Sequence, residues 1–313
     1  MDGAGRQEEI LVLMSSGVHL ITHTWRPTDH GFDHGLTVWK SDNSGTEFIP
    51  LNWGDSIAWS ISGPRKCIGY RGPRRRHPCP ENRVVVGGGV QCGPCMATDY
   101  YAECVRCNGS YCKATPERRE ECRRATYAVY VAVFSDRSVK VGVSVKGRVK
   151  TRWLEQGADY AGVLLEVDDG MRARQIESSI GCSTSATVMI SGARKAQALV
   201  SILDRSEAEA LVANTFSGLD SHSINPEEVV LEDLSQYYAP RRIDTQPLPW
   251  RKRGHQIDGL SVIGQVAAMK GSILVTRNGA AYQYIDLRTL RGFRIIEDSA
   301  DSVMMQSGLL DFI

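Results

Sequence analysis

Eight of the nine cysteines in this 313-residue chain lie between Cys67 and Cys122, and the ninth, Cys182, stands apart. Thiols grouped in a chain without a secretory signal point to metal binding ahead of a disulfide framework. Two of the spacings are C-x-x-C, Cys92/Cys95 in QCGPC and Cys104/Cys107 in ECVRC. A tight turn between two thiolates aims both sulfurs at one ion, and Gly-Pro inside the first pair and Asn-Gly after the second supply turn residues. Eight thiols are the donor count of two four-cysteine zinc sites. In the preferred partition, which follows chain order, Cys67, Cys79, Cys92 and Cys95 share one ion, and Cys104, Cys107, Cys112 and Cys122 share the other. The alternative closes a ribbon from the two C-x-x-C pairs and leaves Cys67, Cys79, Cys112 and Cys122 for a second site. His77 is available as a substitute ligand but reads better as a surface residue, and iron–sulfur ligation is the other use of such a thiol set. A closed four-thiolate zinc site keeps no position for water, so its expected role is to fold the chain.

What such a module displays is a second source of function. Residues 61–125 carry thirteen Lys or Arg against six Asp or Glu, whereas residues 1–60 carry three against eight, so the net charge of +1 hides a segregation. Arg65, Lys66, Arg71, Arg74, Arg75, Arg76 and Arg83 surround the first half of the cysteine block, and Tyr100 and Tyr101 sit between the C-x-x-C pairs. Guanidinium groups for phosphates and aromatic rings for bases suit nucleic acid. The competing reading is a solvated basic face with two core tyrosines.

The stretch YAVYVAVFSDRSVKVGVS, residues 127–144, reads as a β-hairpin: two β-branched, alternating runs around the turn SDRS. GRVKTRWLEQ follows as a helix with Val149, Trp153 and Leu154 on its apolar face, AGVLLEV as a buried strand, and GMRARQIESSI as a second helix carrying Met171, Ile176 and Ile180. Strand, strand, helix, strand, helix, with these residues over 126–182, resembles the GIY-YIG endonuclease superfamily. Its signatures fall on Ala128-Val129-Tyr130 and Lys140-Val141-Gly142, its helix arginine on Arg152 with Arg148 as second choice, and its metal-binding glutamate on Glu177. The resemblance implies phosphodiester hydrolysis in which Glu177 holds Mg²⁺ or Mn²⁺, Tyr130 acts as the base with its pKa lowered by nearby cations, Arg152 faces the developing charge and Lys140 assists. Two departures weaken that implication. Lys140 stands where the second signature has tyrosine, and Gln156 stands one turn after the helix arginine. On the competing reading, Tyr130 packs in the hairpin, Arg152 is solvated, and Glu177 pairs with Arg174 or Arg172.

CIGY through HPCP, QCGPC, the hairpin, RWLEQGADYA and RARQIESSI together resemble, over roughly residues 60–185, the uncharacterised family catalogued as domain of unknown function 2797. That family joins a cysteine block to a degenerate GIY-YIG-like unit and implies architecture without an activity.

The elements expected to position these residues form an α+β protein. A GIY-YIG-like domain (β-hairpin, helix, strand, helix) is joined to a Cys-rich zinc module, with small β-rich modules at both termini. The boundaries expected are 1–60 for the β-rich N-terminal module, 61–125 for the zinc module, 126–192 for the GIY-YIG-like domain, 193–236 for a helical segment, 237–256 for a basic Pro-containing linker and 257–313 for a β-rich C-terminal module. Residues 193–217 are expected as helix, with Ala198, Leu199, Ile202 and Leu203 in one stripe. The ends share a faint pattern, Phe48-Ile49-Pro50-Leu51 against Tyr284-Ile285-Asp286-Leu287, read as two small barrels. His19, His23, His30 and His34, irregularly spaced, read as surface or packing residues. An apolar share of 42% and no run of roughly 18 to 20 apolar residues suit a soluble, cytoplasmic protein. The function expected is a zinc-stabilised nucleic-acid-binding protein, RNA ahead of DNA. Its alternatives are a Mg²⁺-dependent nuclease using Tyr130, Arg152 and Glu177, and a non-enzymatic assembly factor whose β modules carry the contacts.

Overall fold

A computed structural model describes residues 13–40, 42, 44–186, 192–217, 228–239, 243–250 and 257–298. The chain divides into two compact units. The first comprises Met1–Asp99, Pro247–Met269 and Leu274–Ile313, the second Tyr100–Gln246 and Lys270–Ile273.

In the first unit β1 (Val18–Thr28), β2 (Gly31–Trp39), β3 (Thr46–Pro50) and β4 (Ser56–Ser62) come from the N-terminal part. β11 (Leu248–Pro249), β12 (Ser261–Lys270), β13 (Ile273–Asn278), β14 (Ala281–Asp286) and β15 (Arg294–Glu297) come from the C-terminal part. They form one nine-stranded sheet in the order β11-β14-β13-β12-β4-β15-β1-β2-β3. The join is made by β15, which sets Ile295 opposite Val18 of β1 and Ile61 of β4, and by β12, which sets Val262 opposite Trp59. Leu20, Trp59, Ile61, Val262 and Ile295 are all buried, so apolar burial specifies the register. The β-rich ends are therefore parts of one sheet and not two separate barrels. Between β4 and the end of this segment lies the cysteine-bearing stretch with a two-stranded hairpin, β5 (Tyr70–Arg71) and β6 (Arg76–His77), and a short helix α1 (Gly93–Thr98).

The second unit is built on a four-stranded sheet, β10 (Glu232–Asp233), β9 (Tyr160–Asp168), β7 (Thr126–Val133) and β8 (Val139–Val145) in that order. Its helices include α2 (Ala102–Arg106), α3 (Pro116–Arg124), α4 (Val149–Gln156) and α5 (Gly170–Ser183). The order after α3 is hairpin, helix, strand, helix, as the periodicity predicts. In the turn Asp136 accepts from the Ser138 amide at 3.1 Å and Arg137 takes φ 65°. Val129, Val131 and Val133 of β7 and Val139, Val141 and Val143 of β8 share one core with Ala173 and Ile180 of α5. Tyr130 instead meets Trp153 of α4 edge on, with ring centroids 6.1 Å apart. Gly157 in the left-handed region ends α4, and the Asp169 side chain caps α5 by accepting from the Met171 amide.

The helix expected over 193–217 is interrupted. α6 (Gly192–Gln197) runs into a 3₁₀ turn over Ala198–Val200, and α7 (Arg205–Phe216) starts anew after Asp204, whose side chain accepts from the Glu207 amide. Ala198 and Leu203 are buried but Ile202 is exposed, because the break turns it away from the stripe. All five cations of the 237–256 segment, Arg241, Arg242, Arg251, Lys252 and Arg253, lie outside the described residues. Among the described residues no helix is long and apolar enough to cross a membrane.

Candidate metal centre and its cationic surroundings

Three segments of the first unit bring four cysteines to one point. Cys67 follows β4, Cys79 follows β6, Cys92 caps the N-terminus of α1 and Cys95 lies in its first turn with Pro94. Their sulfurs all lie within 4.8 Å of one another, and those of Cys79 and Cys92 are 3.8 Å apart. Sulfurs at about 2.3 Å from a tetrahedral zinc ion are about 3.8 Å from each other, so the spacing suits such an ion. The surroundings act in both directions on the sulfurs, and burial raises the Cys67 thiol above its ordinary value. The Cys92 amide donates to Cys67 Sγ at 3.2 Å, and although burial acts to raise the Cys79 thiol, the amides of Arg83 and Glu81 help bring it below its ordinary value. Burial, followed by the neighbouring thiols, pushes Cys95 up. Gly69 (φ 73°) is required here, since a Cβ would fall 1.9 Å from the His77 carbonyl oxygen.

This is the chain-order grouping, so the ribbon alternative, which would place Cys92 and Cys95 with Cys104 and Cys107, is not what forms. His77 stacks on Tyr70 at 5.0 Å and stays outside the thiol cluster. In the second unit Cys104, Cys107, Cys112 and Cys122 line a single cavity of about 70 Å³ together with Arg118 and Tyr127. Tyr127 donates its hydroxyl to Cys122 Sγ at 3.4 Å.

The predicted cations have diverse fates. Arg74 and Arg75 are exposed at the tip between β5 and β6. Arg71 forks onto Asp99, whose side chain is 1% exposed and also accepts from Gln91. Arg65 donates to the carbonyls of Gly87, Gly89 and Thr289 and lies over the Phe293 ring. Arg83 pairs with Glu81, and Arg148 pairs with Glu155. In the second unit Tyr100 meets Tyr101 edge on, and Arg118 covers Tyr101 at 5.0 Å.

Arg288 and Arg291, which the pattern reading passed over, complete the first unit's cationic face. Burial lowers the Arg291 guanidinium below its ordinary value, and the positive fields of Arg71, Arg288 and Arg65 lower it further. Arg76, opposite Arg71 in the hairpin register, is pushed down to about 10 by burial and by Arg71, with Arg291 adding to it. Five guanidinium groups thus share one field, with Asp99 on Arg71 and Asp286 on Arg288 as paired carboxylates. The signal available in the sequence was the i, i+3, i+6 spacing of Arg288, Arg291 and Arg294 in RTLRGFR.

Tyr130, Lys140, Arg152 and Glu177 also come together, within one another's electrostatic reach. The expectation that Tyr130 has a lowered pKa is overturned. Its ring is 1% exposed, its hydroxyl accepts from Gln156 Nε2 at 2.8 Å, and burial pushes it up to about 12 against the opposing pull of Arg152. Gly142 serves this packing, because a Cβ there would meet the Tyr130 hydroxyl at 2.4 Å. Burial, with Arg152 close by, lowers Lys140 below its usual value. Arg152 pairs with Glu155 at 3.1 Å and Glu177 with Arg174 at 3.2 Å.

No curated protein and no solved structure matches the chain. A family model described as "Protein of unknown function (DUF2797)" matches residues 54–295, well over half of the sequence and inclusive of both cysteine quartets and the hairpin unit. By that match the chain belongs to the DUF2797 family.

Proposed function

We propose that this protein binds nucleic acid, RNA ahead of DNA, through the arginine face of its cysteine-bearing unit. On this reading zinc holds the thiol cluster, and the hairpin, helix, strand, helix of the second unit is a GIY-YIG-like fold. The observation that carries it is the unbalanced field of Arg65, Arg71, Arg76, Arg288 and Arg291, with the exposed Arg74 and Arg75 at the adjoining turn. Guanidinium groups pressed together with too few carboxylates repel one another, and a polyanion relieves that repulsion while releasing its own counterions. Cys104, Cys107, Cys112 and Cys122 are read as a second zinc site. Arg118 there offsets the surplus negative charge that four thiolates leave around a divalent ion. Labelled single- and double-stranded RNA and DNA titrated by anisotropy should bind with affinity falling steeply between about 50 and 200 mM salt. Arg76→Gln with Arg291→Gln should flatten that slope, and absence of binding even at the lower salt would remove the reading.

The convergence of Lys140, Arg152 and Glu177 supports a second reading, a metal-dependent phosphodiesterase. Glu177 would be the protein's ligand to Mg²⁺, which supplies Lewis acidity on the phosphate and accepts few protein oxygens. A phenol held near pKa 12 is a poor base, so this reading needs another proton acceptor than Tyr130. Cleavage in Mg²⁺ or Mn²⁺ that disappears in Glu177→Gln while retention persists would establish it. Retention by both proteins without cleavage leaves the binding function alone.

A further inference from the structure

A pocket of about 520 Å³ in the first unit is unused by either reading. Its floor is one row across three adjacent strands: His19 of β1 lies opposite Arg294 of β15 on one side and Trp39 of β2 on the other. Lys40, directly after β2, and Lys66, beside the cysteine cluster, bring two more cations to the walls. Lys40, Lys66 and Arg294 form no ion pair among the described residues, and no Asp or Glu lines the pocket. Three positive charges therefore face a common space, with two carboxylates just outside its lining, Asp42 within electrostatic reach of Lys40 and Asp258 on the Gly63 amide.

The walls are shaped for that charge. Arg294 donates to the Ser16 carbonyl and lies against Gly17, whose φ of 81° favours glycine and where a Cβ would come within 2.3 Å of Arg294 Nε in its present position. His19 Nε2 lies 3.1 Å from the Gly292 carbonyl oxygen, which fixes that nitrogen as the donor. The Trp39 side chain is buried, and its indole N–H has no hydrogen-bond partner among the described residues. The volume lies within the roughly 300–1,000 Å³ of small-molecule sites and exceeds what a bare phosphate needs. An ammonium pair plus a guanidinium fork recognises a doubly charged, three-oxygen anion better than a phosphodiester carrying one charge.

We infer that this pocket binds a phosphate monoester carried by a nucleotide, either a free mononucleotide or the phosphorylated end of an oligonucleotide. The site goes beyond the arginine-face reading and does not depend on it. The test is calorimetric titration of the full chain with inorganic phosphate, adenosine monophosphate and adenosine, alongside 5′-phosphorylated and 5′-hydroxyl forms of one short RNA. The monophosphate is expected to bind and adenosine not. Lys40→Gln, at an exposed position that should not disturb folding, and Arg294→Gln are each expected to weaken binding by about tenfold, the loss of one charge-assisted contact. Tighter binding of the phosphorylated RNA identifies a nucleic-acid end as the source, and equal binding of the two RNAs with retained monophosphate affinity identifies a free nucleotide. Failure of both phosphate and monophosphate to bind, or affinity unchanged in Lys40→Gln, overturns the inference. Salt-dependent binding of the 5′-hydroxyl RNA reports the arginine face separately, so the two proposals fail independently.

Discussion

His34 lies between two indoles, with ring centroids 4.1 Å from Trp53 and 5.3 Å from Trp25, and its Nε2 has no partner among the described residues. Of the surface and packing roles that the sequence allows His34, the structure gives it packing. A charged imidazolium there would lose its hydration without gaining a hydrogen bond at Nε2, so burial pushes its pKa down to about 4 from the ordinary 6.5. The folded state therefore holds the proton less tightly than the unfolded chain. Stability from this group is fully present above pH 6.5 and is lost as pH falls from there through about 4, by about 3 kcal/mol in all. Urea midpoints measured at neutral pH and near the lower end of that window should differ for the wild type. In His34→Phe the difference should shrink by that amount. Thiol protonation acts in the same acid range, but it acts on both proteins and cancels in the comparison. An undiminished pH dependence in the variant would place the acid sensitivity elsewhere.

At the scale of elements, a buried ion pair shows what periodicity conveys and what it omits. Lys270 closes β12 and is grouped with the second unit. Its ammonium donates to both Asp159 oxygens at 2.7 and 2.8 Å and to Ser135 Oγ at 3.0 Å, with the two charged side chains 4% and 13% exposed. Lys270→Met would leave the Asp159 carboxylate buried beside the Ser135 amide alone, at a cost of about 3–5 kcal/mol. Replacing both partners, Lys270→Met with Asp159→Leu, should recover much of that loss, and a urea series on the three proteins checks it. Nothing in MKGSI or GADYA marks this pair, because the two residues are 111 positions apart in sequence. The hairpin was legible for the opposite reason. Its valines alternate locally, and the SDRS turn and the caps at Asp169 and Gly157 are short-range chemistry. β15 could not be placed from pattern alone, since what fixes it between β1 and β4 is non-local pairing, and the break at residues 201–204 follows from capping by Asp204 that outweighs an apolar stripe. The catalytic-looking quartet was legible as a set of residues, whereas the burial that disables Tyr130 as a base depends on Trp153, Gln156 and Gly142 closing around it.

For the whole molecule, the question is whether the two cysteine quartets do different work. The first thiol cluster brackets the β5–β6 hairpin, with Cys67 before it and Cys79 after it, so an ion on these sulfurs staples the loop that carries Arg71, Arg74, Arg75 and Arg76. The second quartet lies on and around α2 and α3 and lines its own cavity against Gly170 and Tyr127 of the hairpin unit. If each quartet holds zinc, elemental analysis of the purified chain gives two ions, and Cys95→Ser and Cys104→Ser each give one. The consequences for binding should then diverge. Loss of the first ion releases the arginine hairpin and should lower oligonucleotide affinity by an order of magnitude or more, since several phosphate contacts lose their fixed spacing together. Loss of the second ion should instead lower the thermal midpoint while leaving affinity near that of the wild type. A single ion in the wild type, retained in Cys104→Ser, would reduce the second quartet to a packed thiol cavity. Equal loss of affinity in both variants would mean that the metals stabilise one cooperative structure and that the arginine face has no ion of its own.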